Sequence, residues 1–293
     1  MTGTFHQSLT AIMSACREYA HRLHQSLAPI ILACRRNAHR LRSDPISKGL
    51  AAIIFTLLVI ALWQAAVETG VVSRLFVAAP SQAFGVIVER AESGSLWSTI
   101  GATAQRMGAG WIVGVAVAML LGAAIGNSQA AHQFLSPTLE FFRPLPASAI
   151  IPVAVLFFGL TAKMSTFVIA FGSIWPVLLA AIHGYANVPR ELREVASTLE
   201  MSRLRYILVI ATPSASVDIM AGLRISLALA LILTVVTEMQ ASLPGLGYEI
   251  FLAQRTFRSA DLYAGLMTLG IFGFLINQAL LLAERRLMRW RTA

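Results

Sequence analysis

The sequence predicts an all-α fold, a polytopic membrane bundle of about six transmembrane helices. Of 293 residues, 57% are apolar and 13% charged, and the mean hydropathy is +0.70. Soluble domains run nearer ~45–50% apolar and about 25% charged. Several uncharged stretches approach the ~20 residues that cross ~30 Å of hydrocarbon. No alternating pattern of about ten residues marks a barrel strand, so the backbone hydrogen bonds must close within helices.

The spans lie where charges are missing. Gly49 to Val67 is uncharged and rich in Ala, Ile and Leu, and is the first span. Met107 to Leu139 is also uncharged, but Asn127, Ser128 and Gln129 break it, which places a second span at about 102–126. A third runs from near Phe134 to near Leu160, bent where Glu140, Arg143, Pro144 and Pro146 fall. Met164 to Gly184 is the fourth, about 217–237 the fifth with Arg224 early in it, and Leu262 to Ala283 the sixth.

Basic residues set the expected orientation, because Lys and Arg stay on the cytoplasmic side. Seven precede the first span: Arg17, Arg22, Arg35, Arg36, Arg40, Arg42 and Lys48. Arg190, Arg193, Arg203 and Arg205 follow the fourth, and Arg285, Arg286, Arg289 and Arg291 end the chain. With six spans all three groups share one side, so both termini are expected in the cytoplasm. About 68–100 and 239–261 are then outside. The net charge of +9 is thereby accounted for by topology and anionic lipid, not by a nucleic-acid partner.

Residues 1–48 form a basic leader. Its apolar runs are too short for a signal peptide. Ser8-Leu9, Ala15-Cys16-Arg17 and Ala20-His21-Arg22-Leu23 recur as Ser26-Leu27, Ala33-Cys34-Arg35 and Ala38-His39-Arg40-Leu41, a period of 18. Eighteen residues are about five helical turns at 3.6 per turn. The repeat reads either as a basic amphipathic stretch on the inner leaflet or as a duplication in a loosely structured tail. Cys16 and Cys34 each precede a His by five positions, a spacing that does not align side chains on a helix, and no metal site is expected.

The loop after the fourth span carries the most informative pattern. Pro189 suits a helix start and Glu191 its first turn. Leu192, Val195, Ala196 and Leu199 form one apolar stripe at i, i+3, i+4 and i+7, with Arg190, Arg193, Glu194 and Ser197 on the other faces. Spacing alone fits a surface helix packing its stripe on the bundle.

Glu194-Val195-Ala196-Ser197-Thr198-Leu199, then Ser202-Arg203 and Thr212-Pro213, resembles the EAA loop of binding-protein-dependent ABC transporter permeases. Arg143-Pro144-Leu145-Pro146 with Ala149, Pro152, Phe158 and Gly159 resembles that family's proline-rich span. Gly222-Leu223-Arg224-Ile225, Glu238-Met239 and Gly245-Leu246-Gly247-Tyr248 resemble the following span and loop. The likeness covers about 97–290, with a coupling loop at 187–213. It is nearest to the branch importing nitrate, taurine, other sulfonates and bicarbonate. Departures are Val195 for the usual Ala, Thr212 for Leu, and Glu200 for Gly. Glu tolerates a tight turn less readily, so a straighter helix through Glu200 is one expectation.

The resemblance implies a type I ABC importer permease fold in a bacterial inner membrane. Two such subunits, expected to be a homodimer, would face each other. Each would dock on an ABC ATPase subunit, and an extracytoplasmic solute-binding protein would deliver the solute. ATP and Mg would belong to the ATPase, because the chain has no G-x-x-x-x-G-K-[ST] loop and is expected to be no enzyme by itself. Glu191, Leu192, Glu194, Val195, Ala196, Leu199, Glu200, Ser202 and Arg203 would couple it to the ATPase. Within the spans, Ser165, Ser173, Thr234 and Thr237 are candidates for a polar path. Arg224 is a candidate gate or snorkelling residue, and Glu238 a path or boundary residue. The alternative is a secondary transporter or channel without an ATPase, but the inverted repeats expected of one are missing.

Overall fold

The computed structural model describes residues 45–73, 75–142 and 145–288, and no strand occurs among them. The leader repeat, Cys16, Cys34, Arg143, Pro144, Arg289 and Arg291 lie outside the described residues. The chain divides into two units, Met1–Ala65 and Ala66–Ala293. The described part of the first belongs to a single helix, α1 (Pro45–Glu68), apolar enough from Leu50 to Glu68 to cross a bilayer.

In the second unit, α2 (Pro80–Glu92) starts with Pro80 in its first turn, where the missing N–H costs nothing. α3 (Ser95–Gly126) follows after Gly94 and begins earlier than the sequence suggested. α4 (Gln129–Phe142) comes next. A 3-10 turn at Ala147–Ile150 then leads into α5 (Ile151–Phe158). α6 (Ala162–Ala186), α7 (Arg190–Thr198) and the single turn α8 (Arg203–Tyr206) succeed it. A π-helical segment, Ile207–Ala211, joins α8 to α9 (Thr212–Ala241). α10 (Leu246–Arg255) and α11 (Ser259–Leu287) complete the fold.

Among the described residues, five stretches are long and apolar enough to span a membrane: α1, α3, α6, the α8–α9 run Arg203–Ala241, and α11. The expected third span at 134–160 is not one helix. It is split between α4 and the 3-10/α5 piece, because each proline lacks an N–H and pushes the preceding residue away from helical geometry. The expected fifth span, 217–237, is the centre of a much longer run.

α6 is the axis of the second unit, packed on α3 along one side and α9 along another. Small residues make this possible. Gly110, Gly114, Ala118, Gly122 and Gly126 recur every fourth position of α3 and are buried or nearly so. A Cβ added at Gly114 would lie 2.7 Å from the Ala170 carbonyl oxygen, and one at Gly126 would lie 2.7 Å from Tyr185 Cβ. The backbones approach closely enough that dispersion contacts replace the hydrophobic drive that lipid cannot supply. On the α9 side, a Cβ at Gly222 would lie 2.7 Å from the Pro176 carbonyl oxygen, and one at Gly184 would lie 2.8 Å from Ala215 Cβ. Met164, Val168 and Ile169 of α6 are completely buried in the resulting core with Leu227, Ala230 and Leu233 of α9.

Candidate functional site

Two groups of polar residues lie toward opposite ends of α3, α6 and α9. At one end, α6 stops at Asn187 and Pro189 starts α7. Arg193 Nη2 donates to the Ala186 carbonyl at 2.6 Å, placing a cation at the negative end of α6. Arg190 Nε donates to Glu194 Oε1 at 2.9 Å across one turn, a surface pair of little weight. Of the predicted stripe only Ala196 is buried. Leu192, Val195 and Leu199 are 38%, 50% and 66% exposed, so the stripe does not pack on the rest of the chain.

Glu200 departs from the straight-helix expectation. Its φ is +46°, its N–H reaches the Ser197 carbonyl at 3.0 Å, and the Met201 N–H reaches the Ala196 carbonyl at 3.0 Å. This is the Schellman closure, with glutamate in the left-handed position that glycine normally takes. The chain reverses there, and Ser202 Oγ caps the next turn by accepting from the Arg205 N–H at 3.4 Å. Arg203 opens α8, from which the π-helical segment leads directly into α9.

At the other end lies a group that sequence reasoning underrated. Glu238, read as a path or boundary residue, is completely buried. It forms an ion pair with Arg106 of α3. Its Oε2 accepts from the Gly247 N–H at 2.8 Å and from Thr103 Oγ1 at 3.2 Å. Thr103 Oγ1 in turn accepts from the Leu246 N–H at 2.9 Å, and Arg106 also donates to the Pro244 carbonyl at 3.2 Å. The turn 242–247 is thus clamped onto α3 and α9. A Cβ at Gly247 would sit 2.5 Å from the Val235 carbonyl oxygen, which is why the turn needs glycine there.

Beyond the clamp, Arg90 of α2 bridges Glu249 of α10 and Asp261 of α11, the latter at 2.6 Å. Arg258 adds 2.9 Å to Asp261, and Thr99 Oγ1 donates to Glu249 at 2.6 Å. Segments 68–100 and 239–261, expected on one side, meet at this network. Arg90 and Arg106 carried no sequence signal beyond being charged next to an apolar run.

The polar-path candidates fall inside the packing. Ser165, Ser173, Thr234 and Thr237 have no exposed surface. Ser165 and Thr237 share a 2.6 Å hydrogen bond, and Thr234 Oγ1 donates to the Ala230 carbonyl at 2.7 Å. The Ser165–Thr237 bond joins α6 to α9, whereas the Thr234 bond lies within α9. Ser173 Oγ has no partner among the described residues, and its residue lies against Gly114. Arg224 is partly exposed and pairs with Glu284 of α11 at 2.7 Å.

Residues 110–291, more than half of the chain, match the family described as binding-protein-dependent transport system inner membrane component. The chain belongs to this family. This permease is 31% identical over 209 residues to an ABC transporter permease protein of Brucella abortus (strain 2308), covering 70% of this chain and 84% of that one. It is 29% identical to the aliphatic sulfonates transport permease protein SsuC of Bacillus subtilis (strain 168), over 83% of this chain and 88% of that one. With the taurine transport system permease protein TauC of Escherichia coli (strain K12) it shares 27% identity over 84% and 92% of the two chains. A solved structure of the MetNI methionine ABC transporter in inward facing conformations aligns with it at TM-score 0.49 and 17% identity, over 66% of this permease and 93% of that chain. The match begins within α3 and takes in α7, Glu200 and the whole of α9.

Proposed function

We propose that this permease is the translocating subunit of an ATP-driven importer of small oxyanions or sulfonates, working as a homodimer on two ABC ATPase subunits. A solute-binding protein delivers the solute at the Arg90 end, and both termini lie in the cytoplasm with α7. The observation that carries this reading is α7 itself, whose Leu192, Val195 and Leu199 stand exposed while Ala196 faces inward. An exposed apolar stripe on a helix braced to the end of α6 suits a protein cleft better than water.

α7 has a mechanical route to the spans. Arg193 ties it to the Ala186 carbonyl at the end of α6, and the Glu200 turn, α8 and the π-helical segment connect it to α9. Movement of a docked ATPase would therefore displace both α6 and α9. The stripe must contact the ATPase with different energy in its two nucleotide states, or hydrolysis would shift nothing. No residue of this chain is assigned to the hydrolysis.

The anion assignment is supported by relatives named for aliphatic sulfonates, taurine and nitrate transport. The test is uptake and ATP turnover by the reconstituted complex with its binding protein. Nitrate, taurine, alkanesulfonates, bicarbonate and aromatic carboxylates would be screened against neutral and cationic solutes. Stimulation by an oxyanion or sulfonate is expected, and stimulation only by a neutral or cationic solute overturns the assignment.

A further inference from the structure

Between α4 and α7 lies a cavity of about 500 Å³ whose lining includes Gln129, His132, Arg193, Ser197, Arg203 and Tyr206. Among the described residues, no carboxylate lines it. One Nη of Arg193 is spent on the Ala186 carbonyl, and most of the five guanidinium N–H donors of that side chain have no partner among the described residues. Arg203 has no ion-pair partner among the described residues. Gln129 and His132 belong to the first turn of the 14-residue α4, which has no acidic residue there, so its positive end adds to the arginines.

The depth of the cavity is fixed by the spans around it. Gly126 ends α3, Ala186 ends α6 and Arg203 begins the α8–α9 run, and all three line the cavity. The runs Met107–Gly126 and Met164–Ala186, free of Asp, Glu, Lys and Arg and each about the ~20 residues that cross the hydrocarbon, both stop at this cavity, which puts it near the level of lipid phosphates. Phe134, 82% exposed in the next turn of α4, offers an apolar surface beside it. The cavity lies on the side of α7 next to the exposed stripe, since Arg193 and Ser197 follow Leu192 and Ala196 by about 100° each.

We propose that this cavity binds the phosphate of an anionic phospholipid headgroup, held by Arg193 and Arg203, and that the lipid braces α7 against α4. Guanidinium forks match phosphate oxygens in bidentate fashion. The inference rests on the coupling role of α7 only for its consequence, and lipid binding can be read without the ATPase.

The full-length permease in detergent would be offered equal amounts of phosphatidylglycerol and phosphatidylcholine, with retained lipid counted by native mass spectrometry. A preference for phosphatidylglycerol of roughly thirtyfold is expected, the size that two basic residues facing an anionic headgroup supply. Arg193→Gln with Arg203→Gln should abolish it, whereas Arg205→Gln, outside the lining, should leave it intact. If the double variant does not fold, Ser197→Glu puts a carboxylate in the cavity and should also abolish it. Equal retention of the two lipids, or unchanged preference in both the double variant and Ser197→Glu, overturns the proposal. Displacement of the lipid by millimolar inorganic phosphate would assign the cavity to a soluble anion and overturn the lipid assignment. Failure of the unsubstituted permease to co-purify with an ABC ATPase, with its lipid preference intact, would count against the coupling reading alone.

Discussion

Replacing Glu238 by glutamine keeps the side-chain shape and removes its charge, leaving the Arg106 guanidinium, 12% exposed, without a counter-ion. The carboxylate is fully buried and also receives the Gly247 N–H and the Thr103 hydroxyl. Breaking a buried pair from one side costs about 3–5 kcal/mol. For a unit the size of Ala66–Ala293, each kcal/mol moves the unfolding midpoint by roughly 2–4 °C. Glu238→Gln should therefore lower the midpoint of the detergent-purified permease by about 6–20 °C. Arg106→Met combined with Glu238→Gln should regain most of that loss, since no unpaired charge is then left buried and the glutamine oxygen still accepts the Gly247 N–H. Differential scanning fluorimetry of the single and double variants decides. A midpoint for Glu238→Gln within about 1 °C of the parent would mean that the charge is not held as described, and would refute the clamp.

Val195→Asp should release the ATPase on co-purification while leaving the midpoint of the permease alone nearly unchanged, because exposed substitutions usually stay within about ±0.5 kcal/mol; retention of the ATPase with unimpaired uptake would remove the stripe from coupling. Glu194→Lys should weaken the same association by reversing a charge beside that stripe, and parental transport by a normally inserted variant would exclude Glu194. Glu200→Gly should raise stability by about 0.5–1 kcal/mol, the left-handed strain of roughly 1–2 kcal/mol less the added freedom of the unfolded chain, and a lowered midpoint would contradict the turn. Gly114→Leu should prevent α3 from seating on α6, read as loss of folded protein in detergent, since its Cβ alone would lie 2.7 Å from the Ala170 carbonyl oxygen.

The sequence by itself determined the solvent, the helical class, most of the apolar spans and the short helix that carries the Leu192–Leu199 stripe. These depend on local quantities: the length of uncharged runs, the placement of arginines, and the spacing of Leu192, Val195, Ala196 and Leu199. The four-residue recurrence from Gly110 to Gly126 stands in the sequence too, but it took the packing to show that this face of α3 meets α6. Only the tertiary structure decided what each polar residue faces. Ser165 and Thr237 resemble path-lining residues in sequence, yet they are buried and bond α6 to α9, and Thr234 bonds the Ala230 carbonyl of its own helix. Glu238 and Arg106 are 132 positions apart, and no periodicity within either helix announces a partner on the other. The turn at Glu200 likewise required the fold, because a left-handed glutamate is unfavourable locally and is held by the carbonyls of Ala196 and Ser197. Span, class and stripe are properties of a segment in its solvent, whereas burial and pairing are properties of which segments come together.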